Sequence, residues 1–291
     1  MKLLHRSIAI ALMMGGLLFA QTEKLEFTVA SVKQNKSDAD ANSNFPLGPG
    51  AVYVPNGGLF SASGYPLAIY IAFAYKLMGN DLQALVPQLP GWATTDRYDI
   101  QARAEGNPSK DQMRLMMRSL LADRFKMAVH YDSREVPIFA LVLIKPEKLG
   151  PQIHPHTGDA PCPTEASAVT PNQPLAGGLP PLCGGIFGMP PSVPGRQRAA
   201  ARNVAMSLIA TSLTGAADLG RPVVDRTGLT GMFDFSFEWA PELPPGADLA
   251  PDQIGPTFLE ALKEQFGMRL ESTKDRVDVF VVDHVERPSE N

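Results

Sequence analysis

Two stretches of this chain repeat each other at a fixed spacing, and no other feature limits its possible folds as strongly. Leu121-Ala122-Asp123-Arg124-Phe125-Lys126-Met127 and Leu262-Lys263-Glu264-Gln265-Phe266-Gly267-Met268 align Leu, Phe and Met at an offset of 141 residues. The same offset places Val136-Pro137-Ile138-Phe139-Ala140-Leu141 on Val277-Asp278-Val279-Phe280-Val281-Val282. Upstream, Arg97-Tyr98-Asp99-Ile100 falls on Met232-Phe233-Asp234-Phe235 at offset 135, and Leu67, Tyr70 and Ala74 fall on Met206, Ile209 and Leu213 at offset 139. Ordered matches separated by loop-sized changes predict an internal duplication. A chain of 291 residues has room for two such cores.

Each copy reads as strand, helix, strand, helix, strand, strand. In the first, Gly58-Leu59-Phe60-Ser61-Ala62-Ser63 is a short strand, and Pro66 opens a helix where its missing N–H costs nothing. Residues 97–104 alternate in strand fashion. Ser109 with Gln112 three residues later forms a capping box, and Met113, Met116, Met117, Leu120 and Leu121 give the following helix one apolar face. Residues 127–131 and 136–144 are expected to be two strands joined by the charged turn Asp132-Ser133-Arg134-Glu135. The second copy repeats the order, with a last helix between Pro256 and Gly267 and a hairpin turning across residues 272–276. The fold class is therefore α/β in the broad, α+β sense: two duplicated small mixed sheets with two helices packed on each, of undetermined strand order.

The first twenty residues read as an address. Lys2, His5 and Arg6 precede an uncharged run from Ser7 to Ala20, and polar Gln21-Thr22-Glu23-Lys24 follows. This is the layout of a cleaved secretory signal, and the apolar run is short of the ~20 residues that span a bilayer. The expected organisation is a signal peptide over 1–20, a first α/β domain over 21–145, a Pro/Gly-rich loop over 146–196 and a second domain over 197–291. The exported protein then lies in the periplasm or outside the cell, with no stable membrane span after cleavage. Its only two cysteines, Cys162 and Cys183, lie in the loop and are expected to pair as a disulfide in an oxidising compartment.

Candidate chemistry is thin. There is no Gly-x-Ser-x-Gly, no Gly-x-Gly-x-x-Gly and no P-loop, so no cofactor is indicated. His154 and His156 lack a Cys pair at zinc spacing, so no metal is expected. A net charge of -4 excludes a nucleic-acid scaffold, which needs a basic face. Asp225-Arg226-Thr227-Gly228 reads as a turn, with Asp225 bonding backbone amides. The Asp of each Tyr-Asp or Phe-Asp pair, Asp99 and Asp234, reads as satisfying strand-end backbone or pairing with an Arg rather than acting as an acid. The residues kept as a candidate binding set are Trp92, Arg97, Tyr98, Asp225, Arg226, Thr227 and Trp239.

Several motifs stand in order along the chain: Phe27-Thr28-Val29-Ala30-Ser31-Val32-Lys33, Trp92 with Arg97-Tyr98-Asp99-Ile100, Leu120-Leu121-Ala122-Asp123-Arg124-Phe125, Val224-Asp225-Arg226-Thr227-Gly228-Leu229-Thr230-Gly231, and Glu286-Arg287-Pro288. Together they resemble a family of exported proteins of unknown function from soil bacteria. In some relatives a similar domain follows a membrane metallopeptidase-type sensor module, but this chain has no His-Glu-x-x-His, so that activity does not carry over. Residues 261–270 followed by 277–282 are also similar to the short N-terminal signalling domain of secretins and TonB-dependent receptors, a likeness that implies protein binding.

The leading expectation is a non-catalytic protein-interaction or ligand-binding module of the cell envelope, with an unknown envelope protein or small ligand as partner. A hydrolase with a site between the halves and a structural envelope component are the alternatives.

Overall fold

A computed structural model describes residues 24–158, 175, 178–216, 219–241 and 255–288. Cys162 lies outside the described residues, and so therefore does the expected Cys162–Cys183 pairing; the signal segment lies outside them too. No described helix is long and apolar enough to cross a membrane.

The first half is built from β1 (Val29–Asn35), β2 (Asn42–Ser43), β3 (Leu59–Pro66), α1 (Leu67–Tyr75), α2 (Asn80–Leu85), a 3-10 turn (Val86–Gln88), α3 (Trp92–Thr95), β4 (Arg97–Arg103) and α4 (Lys110–Arg124). Its sheet has the order β1-β4-β3-β2. The second half uses β6 (Ile153–Pro155), β7 (Gly185–Gly188), β8 (Gln197–Ala205), α5 (Met206–Ala216), β9 (Val223–Asp225), β10 (Met232–Trp239) and α6 (Phe258–Ala261), which runs on as a π-helical turn to Phe266. Its sheet has the order β6-β10-β8-β7. Each sheet thus has a central antiparallel pair with the strand that enters its first helix, β3 or β8, second from one edge. The mixed α+β class expected from the sequence is what the chain adopts. Two strands, β6 and β7, fall inside the stretch expected to be loop.

The local signals work as the sequence predicts. Gln112 N–H donates to Ser109 Oγ, and Ser109 N–H donates to Gln112 Oε1, closing the box at the start of α4. Met113, Met117, Leu120 and Leu121 are buried against α1 and β4. Thr257 and Glu260 form a second box, and Gly267, at φ 70°, ends that helix in the left-handed region that glycine enters without penalty.

The expected hairpins do not form. β5 (Ala128–Leu143) and β11 (Met268–His284) each run straight through the residues read as turns, and they pair antiparallel with each other along their lengths. The charged runs Asp132-Ser133-Arg134-Glu135 and Ser272-Thr273-Lys274-Asp275-Arg276 contain no Gly, Asn or Pro to reverse the chain. They form the solvated middle of a two-stranded ribbon that bridges the halves. The ribbon's ends are exchanged. Phe280 is buried in the first half's core with Val282 packed against it, while Leu141 is buried in the second half's core with Phe139 and Leu143 beside it. Each half therefore supplies the closing strand of the other.

The exposed edges of this ribbon are completed differently at its two ends. Near the second core, β9 pairs in parallel with β5 at Phe139, Ala140 and Leu141. Near the first, the Gln88 side chain takes that place: its Nε2 donates to Phe280 O at 3.0 Å, and its Oε1 accepts from Val282 N–H at 3.0 Å.

Candidate functional site

The seam between the halves holds a cluster of buried cations beside one carboxylate. The capping box starts α4 so that Lys110 and Arg114, one turn apart, face the same side. Both side chains are buried, at 4% and 2% exposure. They lie under a strap over residues 46–52. Arg114 Nη2 donates to the carbonyls of Gly48, Pro49 and Gly50 at 3.0, 2.7 and 3.0 Å, and Lys110 Nζ donates to Val52 O at 2.9 Å. Arg114 Nη1 reaches Asp111 at 2.6 Å, and Lys76 Nζ meets the same carboxylate at 2.8 Å. The strap is tied to the second half by Ala51 N–H donating to Gly184 O at 2.9 Å. A Cβ on Gly50 would stand 3.0 Å from that same oxygen, so a side chain there would push the halves apart.

Two cations, Lys76 and Arg114, thus share one carboxylate, while Lys110 beside them bonds a backbone carbonyl instead. Burial pushes the Lys110 ammonium down to about 7, helped by the Arg114 and Lys76 charges and opposed by Asp111. The hydrogen bond from Lys76, with that from Arg114, holds the Asp111 carboxyl below its usual range.

Next to this cluster the seam opens into adjoining recesses that all touch Met78. The largest, about 610 Å³, lies between α2 on one side, α5 and β9 on the other, and the ribbon behind; Thr211, Val223, Val277, Val279 and Phe280 line it. A second, about 420 Å³, runs past Lys76, Asp111 and Arg114. A third, about 270 Å³, has Lys110 in a wall made mostly of Pro46, Pro49, Val52, Ile186 and Leu208. Asp81, in the first turn of α2, stands where the first two meet. Its side chain reaches solvent, yet surrounding protein partly desolvates it and raises its carboxyl above the usual range.

The two repeated Asp residues have a different task. Asp99 faces a bulge of two residues in β3, Ser63 and Gly64, and Asp234 faces one in β8, Arg202 and Asn203. Asp99 Oδ1 accepts from Gly64 N–H at 2.9 Å, and Asp234 Oδ1 accepts from Asn203 N–H at 2.7 Å. Gly64 and Asn203 both have positive φ, 75° and 52°. A third group locks each carboxylate: Asn35 Nδ2 at 2.7 Å in one half, His156 Nδ1 at 2.8 Å in the other. These carboxylates satisfy backbone, as the sequence suggested. His156 and Asp234 do form a half-hidden pair, with side chains 11% and 10% exposed, but the bulge amide uses the same carboxylate.

The structure places the candidate binding residues in three separate regions. Trp92 stacks edge-on to Tyr98, with Arg287 over its ring at 5.4 Å. Tyr98 is buried, and Arg97 is spent on the carbonyls of Gly64, Ser37 and Ala39. Asp225 accepts from the backbone and hydroxyl of Thr227, the expected turn, while Arg226 pairs with Asp275. Trp239 is in the second core against Phe237 and Phe258. None of them lines the recesses of the seam. Cys183 is fully buried. Among the described residues no three His, Cys, Asp or Glu side chains gather as a metal site. The residues that do meet in the seam, Met78, Asp81, Lys110 and Thr211, belong to no motif. One signal was present: a Lys and an Arg at i, i+4 on the helix face that continues with Met113, Met117 and Leu121.

Residues 68–285 match a family described as protein of unknown function (DUF3738). No curated protein and no solved structure matches the chain.

Proposed function

We propose that this chain, which belongs to the DUF3738 family of proteins of unknown function, is a non-catalytic binding module of the cell envelope that takes a small ligand between its halves. One observation carries the reading. The recess of about 610 Å³ at the seam falls in the size range of small-molecule sites, with a largely apolar lining that also carries the carboxylates Asp81 and Asp278 and the guanidinium of Arg134. The chemistry it suits is a compact apolar body carrying a hydrogen-bond donor for Asp81. Export is supported by the leader-like first twenty residues and by two cysteines placed in one loop.

The test is a thermal-shift screen of mature protein with amphipathic amines and amides, repeated on Thr211→Trp, which fills the recess from α5. Stabilisation of the parent that disappears in T211W supports the reading. Equal stabilisation of both proteins places the ligand elsewhere. Recovery of the chain in the periplasmic fraction, with both thiols resistant to alkylation until reduced, supports export, and a cytoplasmic product with reactive thiols overturns it.

A second reading is favoured by the outer edge of β11. It has no strand partner among the described residues, and only Gln88 occupies it, at Phe280 and Val282. A partner protein could add a strand there, with main-chain hydrogen bonds supplying affinity. Pull-down from the native envelope with no small-molecule stabilisation would favour this over the recess.

A further inference from the structure

We infer that Lys110 is a reactive amine that takes carbonyl compounds, in particular apolar aldehydes, as a covalent imine in the third recess of the seam. The site is built for a neutral amine. The Lys110 side chain is buried, and its Nζ makes one hydrogen bond, to the uncharged Val52 carbonyl at 2.9 Å. Among the described residues no carboxylate forms an ion pair with it: Asp111, its neighbour in sequence, is claimed by Lys76 and Arg114. The recess beside it, about 270 Å³, is walled by Pro46, Pro49, Val52, Ile186 and Leu208, which suits a short hydrocarbon chain and offers no counter-ion.

Two cations on the same face, Arg114 and Lys76, further disfavour a third charge, in keeping with a Lys110 ammonium brought down to about 7. At neutral pH such an amine is roughly half neutral, against less than one part in a thousand for an ordinary lysine near 10.4. Burial beside cationic groups is a known way to make a lysine nucleophilic.

The step balances without an oxidant or a metal. The Nζ lone pair adds to the carbonyl carbon, and the C=O π pair moves to oxygen, which picks up one amine proton. The carbinolamine then expels that hydroxyl with the second amine proton as water, leaving R–CH=N–Lys110. When protonated, the imine nitrogen still carries one N–H for Val52 O. This inference does not depend on what fills the larger recess, because the readout is a bond to one named residue.

The test treats the intact mature chain at pH 7 with hexanal and sodium cyanoborohydride, which reduces an imine to a stable secondary amine. Peptide mass mapping then locates the label. Lys24 and Lys76, with side chains 63% and 48% exposed, are internal references. Preferential labelling of Lys110, by at least about tenfold over both, supports the inference, as does a labelling rate that levels off just above pH 7 while the references keep rising towards pH 10. Labelling of the exposed lysines with Lys110 untouched, or a Lys110 rate that climbs with theirs, overturns it. Lys110→Met should lose the fast label; if that variant fails to fold, the pH profile of the parent still decides.

Discussion

Glu135 of β5 stands opposite Arg276 of β11, at the centre of the ribbon that joins the halves. These two residues are 141 apart, the same offset at which the two sequence stretches align, and the antiparallel pairing runs outward from them in both directions. On one side of this pair the ribbon enters the first core through Phe280, and on the other it enters the second through Leu141.

The exchange makes the halves interdependent. Phe280→Ala removes a side chain packed 4.7 Å ring to ring from Tyr75 in α1. The expected loss is about 3–5 kcal/mol, the usual cost of emptying a buried Phe site. Hydrogen exchange should speed up in α1 and β4, far away in sequence, and thermal melting should stay a single transition. Protection lost only in the second half would contradict the exchanged arrangement.

Gln88 is expected to act as a piece of strand. Gln88→Leu keeps the bulk but leaves Val282 N–H and Phe280 O without their partner. A loss of about 1–3 kcal/mol should follow from two partly buried backbone groups left unpaired. The amide of Val282 should be the one whose exchange accelerates most.

Adding a side chain at one bulge and removing one at the other should have different effects. Gly64 sits at φ 75°, and an added Cβ would stand 3.0 Å from the Arg97 guanidinium, so Gly64→Ala should cost roughly 1–3 kcal/mol. Asn203 occupies the matching place at φ 52° with a side chain already present, and Asn203→Gly should be neutral or slightly stabilising. Chemical denaturation of the two variants beside the parent decides this.

Lys110 also implies a pH dependence with a definite sign. Its ammonium is depressed to about 7 in the folded chain, while the unfolded chain keeps it near the ordinary ~10.4. Between these values the unfolded state binds more protons, so this group makes stability rise with pH from about 7 towards 10. The parent should gain stability relative to Lys110→Met across that window. A difference between the two that is flat or falls with pH would show that Lys110 stays charged in the fold.

Much of the architecture was legible because its signals are local. The α4 capping box, its Met and Leu stripe, the Gly267 stop and the alternation of Phe235, Phe237 and Trp239 each depend on neighbours a few residues away. The turn at Asp225 and the backbone task of Asp99 and Asp234 were legible for the same reason. The charged runs in β5 and β11 misled because a solvated ribbon and a solvated turn use the same residue types; the missing Gly, Asn and Pro were the available clue. The seam was legible only in the i, i+4 spacing of Lys110 and Arg114. Asp81 meets Thr211 and Lys110 meets Ile186 only after two sheets and a strap have been brought together.

By itself, then, the chain's order of residues determined many of the elements and their caps, since those follow from propensity and from periodic burial over short distances. Tertiary structure alone decided which half each long strand completes and which charges share the seam. Strand partners are chosen by long-range packing, and the properties of an ammonium like that of Lys110 depend on how much water its neighbours exclude, which no stretch of sequence specifies.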